Sequence, residues 1–291
     1  MGALDGQVVV VTGGGGGLGR EHALLLAAEG ARVVVNDVGC APDGAGNDPS
    51  RAAGVVEEIA AAGGSAVAST ADVRTTAGAR EVLALALDAF GPVDGLMANA
   101  GILRDRMFVN LSDEEWDEVI AGQLRATFTV ARVFAAHWRD EHKAGRGAPA
   151  SIVTVSSTSG LVGAPGQSNY GAAKAGIAAM SSILAEELSR YDIRVNCLVP
   201  VARTRMTADV PAFKELIAAP ADPDAFDAYH PGNISPLVAW LLSRGCPFTG
   251  RTFYAKGGEI REMLPWHYGR TIDKGARWSV AELDKEMRSL A

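Results

Sequence analysis

The segment Val8-Val9-Val10-Val11-Thr12-Gly13-Gly14-Gly15-Gly16-Gly17-Leu18-Gly19 decides the fold of this 291-residue chain. Its β-branched run predicts a strand buried on both faces, and a helix is predicted to follow over residues 18–29. Only here do a strand, a glycine loop and a helix start follow one another in the order that a dinucleotide site requires. Glycines let the backbone approach a pyrophosphate closely, and the N-terminal end of the following helix stabilises its charge. We therefore expect Gly13, Gly17, Leu18 and Gly19 to bind a dinucleotide.

Strands and helices alternate along most of the remaining chain. Strands are predicted over residues 32–36, 65–69, 93–97, 151–155, 193–199 and 251–255, and helices over 51–62, 76–89, 112–140, 169–190 and 235–243. This βαβ repetition predicts an α/β protein with a three-layer, doubly wound Rossmann fold and a seven-stranded parallel sheet. We expect one domain over residues 1–258 and a C-terminal extension, 259–291, that packs on the same domain or on a neighbouring subunit. Residues 205–232 do not fit the repeat and are interpreted as a substrate lid.

Composition excludes several classes of function. The net charge is −7, and the Lys and Arg residues are scattered, so no nucleic-acid partner is expected. Apolar runs are too short for a membrane span, and the N-terminus lacks the features of a signal peptide, so we expect a cytoplasmic protein with no membrane partner. The histidines and the three cysteines lack metal-ligand spacing. No metal site and no disulfide are predicted.

Asp37 ends the second predicted strand and indicates the type of dinucleotide. It lies eighteen residues after Gly19, near the spacing of about 20 at which an acid binds the adenosine ribose hydroxyls. A carboxylate at this position repels the 2′-phosphate of NADP. No Lys or Arg lies in the glycine loop before Leu18 or directly after Asp37. NAD is therefore the predicted cofactor.

Tyr170 and Lys174 lie four residues apart on a predicted helix, so their side chains share one face. Tyrosine is a weak acid with an ordinary pKa of about 10, but a nearby ammonium and an oxidised nicotinamide both stabilise its phenolate. We predict that Tyr170 transfers a proton, and that Lys174 assists it and holds the nicotinamide ribose. Ser157, at the end of the fifth strand, is predicted to donate a hydrogen bond to the substrate oxygen.

These residues belong to five motifs that follow one another in a fixed order. The motifs are Thr12 to Gly19, Asp72-Val73, Asn99-Ala100-Gly101, Ser157, and Tyr170 with Lys174. Together they resemble the short-chain dehydrogenase/reductase family over about residues 5–258. The resemblance implies an enzyme that moves a hydride between a nicotinamide and a secondary alcohol or ketone. It further implies that Asp72 and Val73 contact adenine, that Asn99, Ala100 and Gly101 shape the cofactor crevice, and that Thr204 holds the carboxamide.

Three further segments, residues 35–39, 123–128 and 200–207, resemble the (3R)-hydroxyacyl-CoA dehydrogenase unit of peroxisomal multifunctional enzyme type 2 and its single-domain bacterial relatives. That resemblance implies a CoA thioester substrate from fatty-acid or sterol side-chain oxidation. A steroid, sugar or other small-alcohol dehydrogenase is the alternative on the same scaffold. A non-catalytic protein that binds NAD is a third hypothesis, which the intact Ser157, Tyr170 and Lys174 disfavour.

The chain departs from the family pattern at two positions. The family has an asparagine seven residues after the helix tryptophan, where it bends the helix and anchors a proton relay, and here Trp116 is followed at that distance by Gln123. Gln123 keeps the amide but is one methylene longer, so we include it among the catalytic residues with an altered relay. Val201 replaces the glycine that follows Pro200, which bears on the backbone near Thr204.

The family resemblance also implies self-association, as a homodimer or homotetramer. Such proteins pair through the helices that follow strands four and five, and several apolar residues of these helices are expected to lie beyond the sheet face. They are Phe128, Val130, Val133, Ile177, Met180 and Ile183. The tail is expected to reach a neighbouring subunit, with Trp266 and Trp278 as anchors.

Overall fold

Eight β-strands form the centre of the molecule in the computed structural model, which describes residues 2–204, 217–222, 224–264 and 266–289. The strands are β1 Val8–Thr12, β2 Arg32–Asn36, β3 Ser65–Ser69, β4 Gly95–Ala98, β5 Ala150–Val155, β6 Ile193–Pro200, β7 Thr252–Lys256 and β8 Glu259–Met263. They lie in one sheet in the order β3-β2-β1-β4-β5-β6-β7-β8. The first seven strands are parallel, which confirms the predicted doubly wound α/β fold.

Helices cover both faces of this sheet. They are α1 Gly17–Ala28, α2 Ser50–Ala61, α3 Thr76–Phe90, α4 Asp113–Ile120, α5 Ala126–Lys143, α6 Thr158–Leu161, α7 Ser168–Leu188, α8 Ser235–Leu242 and α9 Val280–Arg288. All five residues of β1 are buried, and successive side chains point to opposite faces. Val9 and Val11 therefore pack in one apolar layer with α1, α2 and α8. Val8 and Val10 pack in the other layer with α3 and α5.

The strand order reverses between β1 and β4, and this reversal positions the site. The chain runs outward from β1 to β2 and β3, then returns to the other side of β1 to form β4. The loops that follow β1 and β4 consequently leave the sheet in opposite directions and open a crevice between them. Ligands of such sheets bind in this crevice, at the carboxyl ends of the strands.

The prediction of seven strands was wrong, because the sheet has an eighth strand. Residues Glu259–Met263 pair antiparallel with β7, with Lys256 opposite Glu259. The turn contains only Gly257 and Gly258, and Gly257 has a φ of +53°, as a tight hairpin turn requires. The first five residues of the expected C-terminal extension thus form the edge of the sheet.

The single helix predicted over residues 112–140 is interrupted in its middle. Its start is confirmed, because Ser112 and Glu115 form a reciprocal capping box at the beginning of α4. Residues Ala121–Arg125 form one π-helical turn between α4 and α5. Such a turn holds one extra residue and is frequent at functional sites. Gln123 lies in this turn, so the interruption occurs where the sequence departs from the family pattern.

Half of the apolar residues expected on the outer helix faces lie inside the subunit. Val130, Val133 and Ile177 are buried, because the faces of α5 and α7 that carry them pack against the sheet. Phe128 and Ile183 are exposed by 45% and 56%. The outer apolar surface of these helices is therefore smaller than the sequence predicts. Among the described residues, no helix combines the length and apolarity that crossing a membrane would need.

Candidate active site

The glycine loop after β1 has the backbone geometry of a phosphate cradle. Gly13 and Gly17 have φ values of +65° and +51°, a region that residues with a Cβ rarely adopt. A Cβ at Gly19 would lie 2.0 Å from the carbonyl oxygen of Gly13. The loop therefore folds this way only with glycine at these positions. It ends at the N-terminus of α1, where free N–H groups and the helix dipole favour an anion.

Hydrogen bonds join this loop to the segment after β4. The hydroxyl oxygen of Thr12 accepts from the backbone N–H groups of Asn99 (3.1 Å) and Ala100 (3.2 Å). The Asn99 side-chain amide donates to the carbonyl oxygen of Gly13 at 3.1 Å. Because these bonds bridge the two loops that diverge at the strand reversal, they fix the width of the crevice.

A cleft of about 330 Å³ lies between these loops. Its lining includes most of the residues predicted to bind the cofactor, which are Gly13, Gly17, Leu18, Asp37, Asp72, Val73, Asn99, Ala100, Gly101 and Thr204. Gly19 lies beneath the loop, where it permits close packing on Gly13. Residues that are separated by more than 180 positions in the sequence are thus brought to one cleft.

Asp37 has two hydrogen bonds at the far end of this cleft. Its carboxylate accepts from the N–H groups of Gly15 at 2.8 Å and of Gly39 at 2.7 Å. Asp72 accepts hydrogen bonds from the Arg74 guanidinium. Burial raises the pKa of Asp72, but these bonds outweigh it and hold the pKa below its ordinary value. Both carboxylates are therefore held in place before any ligand binds.

Two arginines near Asp37 were not predicted from the sequence. Arg74 lines the cleft, and a Cβ at Gly15 would contact both Asp37 and Arg51. Arg51 donates to the carbonyl oxygen of Cys40 at 2.7 Å, while Arg74 binds Asp72. The segment 40–47, which also lines the cleft, carries Cys40 to this position. No regular spacing relates Arg51 to Asp37, so only the folded loop reveals their proximity.

Ser157, Tyr170 and Lys174 meet at the carboxyl end of β5, the strand next to β4. Ser157 precedes α6, and its hydroxyl accepts from the N–H of Ser159 at 3.2 Å. Burial raises the pKa of Tyr170 to about 12, the charge of Asp105 adds to this rise, and a hydrogen bond with Ser157 opposes it. The phenol is therefore protonated at neutral pH in the protein alone, and a positive charge is needed nearby before it can act as a base.

Lys174 supplies an ammonium beside this phenol. Its Nζ lies 5.4 Å from the centroid of the Tyr170 ring and donates to the carbonyl oxygen of Val155 at 2.8 Å. The residue is only 4% exposed, and burial lowers its pKa to about 8. The cluster thus contains a phenol, an ammonium and a hydroxyl group, which can exchange a proton with a bound oxygen and stabilise its charge.

Gln123 lies behind the loop that follows β4. Its side-chain Nε2 donates to the carbonyl oxygen of Ile102 at 2.6 Å, and its Oε1 is buried without a partner among the described residues. A Cβ at Gly101 would lie 2.4 Å from this Oε1. The longer amide therefore fills the space next to Gly101. The backbone carbonyl of Gln123 accepts from the Thr127 hydroxyl at 2.9 Å.

Part of the predicted lid, residues 205–216 and residue 223, lies outside the described residues. The remaining part contacts the end of β6, where Arg203 pairs with Asp227 and its N–H donates to the carbonyl oxygen of Tyr229 at 2.7 Å. Within the described ranges, no three His, Cys, Asp or Glu side chains lie together so that they could hold a metal ion.

Comparisons with known proteins agree with this geometry. The short-chain dehydrogenase family model matches residues 7–215. Hydroxyacyl-CoA dehydrogenase ChsB1 of Mycobacterium tuberculosis is 43% identical over 98% of this chain and 88% of its own length. Peroxisomal multifunctional enzyme type 2 of Mus musculus is 40% identical over 89% of this chain, which matches 33% of that longer protein.

Solved structures give the same result. A short-chain dehydrogenase from Mycobacterium avium superposes with a TM-score of 0.87 and 46% identity, covering 99% of this chain and 95% of that one. A 3-ketoacyl-(acyl-carrier-protein) reductase from Brucella melitensis, complexed with NADH, has a TM-score of 0.74 and 28% identity, and the coverage is 88% and 98%. The chain belongs to the short-chain dehydrogenase family. It is an oxidoreductase that uses a nicotinamide cofactor.

Proposed function

We propose that this protein oxidises (3R)-hydroxyacyl-CoA thioesters with NAD, in fatty-acid or sterol side-chain oxidation. The observation that carries the proposal is the meeting of Ser157, Tyr170 and Lys174 at the carboxyl end of β5, on the edge of the sheet where the glycine-lined cleft also opens. The similarity to a hydroxyacyl-CoA dehydrogenase over nearly the whole chain supports the choice of substrate. The same similarity supports an acyl-CoA over a steroid or sugar alcohol.

The residues of the cluster have different tasks in the proposed reaction. The Ser157 hydroxyl donates a hydrogen bond to the substrate oxygen, and Tyr170 takes the proton of the substrate alcohol. Lys174 stabilises the phenolate through its charge and binds the nicotinamide ribose, which Tyr170 also contacts. When bound, the cofactor supplies the hydride acceptor. Gln123 positions the segment of Ile102 through its hydrogen bond, and its open Oε1 offers an acceptor to the proton relay.

The cleft fits a dinucleotide along its length. Gly13, Gly17, Leu18 and Gly19 would hold the pyrophosphate, because the glycine backbone leaves the space that a Cβ would fill. The adenine would lie against Asp72 and Val73. The segment from Asn99 through Ala100 to Gly101 would shape the crevice next to the nicotinamide, and Thr204 would bind the carboxamide.

Asp37 supports the choice of NAD. Its carboxylate is fixed by the N–H groups of Gly15 and Gly39, and beside the proposed site of the adenosine ribose it would repel a 2′-phosphate. Arg51 and Arg74 lie near this end of the cleft. Arg51 donates to the carbonyl oxygen of Cys40 and Arg74 to Asp72, and each guanidinium keeps further N–H donors, so the choice of NAD rests on the Asp37 carboxylate.

We also propose a homo-oligomer, a cytoplasmic location and a C-terminal extension over residues 259–291, the first five residues of which belong to the sheet as β8. The exposed Phe128 and Ile183 support self-association through α5 and α7. Trp266, which is 86% exposed, is the proposed anchor of the tail on a neighbouring subunit, together with Trp278. Neither a nucleic acid nor a membrane is a proposed partner.

Formation of NADH from a panel of alcohols tests the proposed activity. We expect turnover with (3R)-hydroxyacyl-CoA and little with its (3S) enantiomer, which is the matched control substrate. Steroid and sugar alcohols form the third arm, and faster turnover of either would replace the proposed substrate. Tyr170→Phe is expected to lower kcat at least about 100-fold while NADH affinity stays nearly constant. A variant that retains a tenth of the activity would contradict the role of Tyr170.

A further inference from the structure

The loop that follows β4 is attached to the start of α7 by contacts outside the family motifs. The N–H of Arg106 donates to the carbonyl oxygen of Gly166 at 2.8 Å, and Arg106 forms an isolated parallel bridge with Gln167. The buried Asn169 side chain donates to the carbonyl oxygen of Arg104 at 3.0 Å. Its Oδ1 accepts from the N–H of Tyr170 at 2.7 Å. Residues 104–106 are thus fixed against the turn that carries the catalytic tyrosine.

Gln167 extends this attachment to the turn that carries Ser157. Its Oε1 accepts from the Ser159 hydroxyl, and its Nε2 donates to Asp105 at 2.8 Å. The N–H of Ser159 in turn donates to the Ser157 hydroxyl. A chain of hydrogen bonds therefore runs from Asp105 through Gln167 and Ser159 to Ser157, and its last link is made by the backbone N–H of Ser159.

We propose that Gln167 is a positioning residue, which fixes Ser157 relative to Tyr170 and holds the Asp105 carboxylate where its charge acts on Tyr170. The inference rests on the proposed function, because it takes Tyr170 as the proton-transfer residue. Gln167 is not among the described residues that line the cofactor cleft. Its amide has the donor and the acceptor that the two neighbours require, so that one side chain satisfies both.

Asp105 is held by Gln167, three residues before Tyr170, and its charge raises the pKa of Tyr170. Both flanking arginines point to α4, where Arg104 pairs with Glu118 and Arg106 pairs with Glu115. On the other side, α6 contributes no charged residue, and the cation beside the Tyr170 ring is Lys174. Desolvation raises the pKa of Asp105, and the Gln167 hydrogen bond opposes this rise.

Removing the charge of Asp105 predicts a defined change in the pH profile. An anion near Tyr170 disfavours the phenolate and raises its pKa. Alcohol oxidation needs the phenolate, so kcat/KM rises with pH as Tyr170 loses its proton. Asp105→Asn keeps an acceptor for Gln167 and removes the charge. The rising limb of the kcat/KM profile should therefore move to lower pH by about half a pH unit. The plateau value of kcat/KM should stay within about twofold of that of the wild type.

Gln167→Leu separates positioning from charge, because it keeps the side-chain size and removes both hydrogen bonds. We expect its plateau kcat to fall about tenfold through misplacement of Ser157, with the dissociation constant of NADH unchanged within about twofold. Asp117→Asn, on the exposed side of α4, removes the same charge outside these contacts and is the matched control. The control is expected to keep the wild-type profile.

The inference is overturned if the rising limb of the kcat/KM profile of Asp105→Asn stays at its wild-type pH. It is also overturned if Gln167→Leu keeps the plateau kcat of the wild type. Absence of any turnover by the wild type would instead contradict the proposed function. In that case the titration of Tyr170 is followed by its phenolate absorbance. This absorbance is the difference between each protein and its Tyr170→Phe counterpart. A lower titration midpoint in Asp105→Asn supports the inference, and an unchanged midpoint overturns it.

Discussion

Replacing Lys174 by methionine is expected to stabilise the protein while it abolishes turnover. The ammonium is almost completely buried, and burial lowers its pKa from 10.5 to about 8. This difference corresponds to a cost of about 3 kcal/mol for the charged form at neutral pH. Methionine removes the cost but also loses the hydrogen bond to Val155 and the contact with the Tyr170 ring, which together contribute about 1 kcal/mol or more. We expect a net gain of about 2 kcal/mol at pH 7.

The gain should depend on pH in a defined direction. Because the pKa of Lys174 is lower in the folded chain, the unfolded chain binds more protons between about pH 8 and 10.5. The contribution of Lys174 to wild-type stability therefore rises with pH through this window. Above it, the folded and unfolded chains carry the same neutral amine, and the advantage of Lys174→Met should be lost.

Thermal unfolding at equal protein concentration measures this difference. At pH 7 we expect the midpoint of Lys174→Met to lie about 4 °C above that of the wild type, and near pH 10 the gap should shrink. Lys143→Met, which changes an exposed lysine, is the control for the substitution itself. The reasoning would be refuted if Lys174→Met were no more stable than the wild type at pH 7. It would also be refuted if the difference between the two unfolding midpoints were the same at both pH values. Turnover should fall at least about 100-fold.

Three other perturbations test the cofactor cleft and the assembly. Asp37→Ala is expected to narrow the preference for NAD over NADP, because it removes the repelling carboxylate. Fluorescence titration of both reduced cofactors measures this, and an unchanged ratio would contradict it. Gly19→Ala should abolish NADH binding, since the added Cβ would lie 2.0 Å from the Gly13 carbonyl oxygen. Gly54→Ala is the control, because the space around Gly54 is open. Wild-type NADH affinity in Gly19→Ala would contradict the phosphate cradle. Ile183→Lys should dissociate the homo-oligomer by placing a charge on an exposed apolar face, and an unaltered mass in light scattering would argue against this interface.

The fold could be predicted because its signals are local. Four consecutive valines before a glycine loop indicate a buried strand, and the repeated alternation of strand and helix then determines the layers. The pairing of Tyr170 with Lys174 follows from helical periodicity alone. Their proximity to Ser157 does not follow from periodicity. It was predicted from the spacing of these three residues, which resembles that of the family.

The structural features that were missed depend on contacts between distant segments. β8 is short and mostly exposed, so it has no apolar alternation, although the Gly257-Gly258 pair between two runs was a hairpin signal. The π-helical turn at Gln123 arises where a side chain reaches the Ile102 carbonyl. Arg51 comes near Asp37 through an irregular loop. None of these tertiary contacts has a period that a sequence pattern could reveal.

The active site contains two buried polar groups that lower the stability of the folded chain. The Lys174 ammonium is desolvated, and Gln123 Oε1 has no partner within the described part of the chain. Apolar side chains at the two buried positions would remove these costs. Gln123 Oε1, however, lies next to Gly101, which lines the cleft, where a hydroxyl group or a water molecule can donate to it. We therefore expect ligand binding to raise the stability of the protein by more than its contact area alone would give, because part of the cost of these buried groups is recovered in the complex.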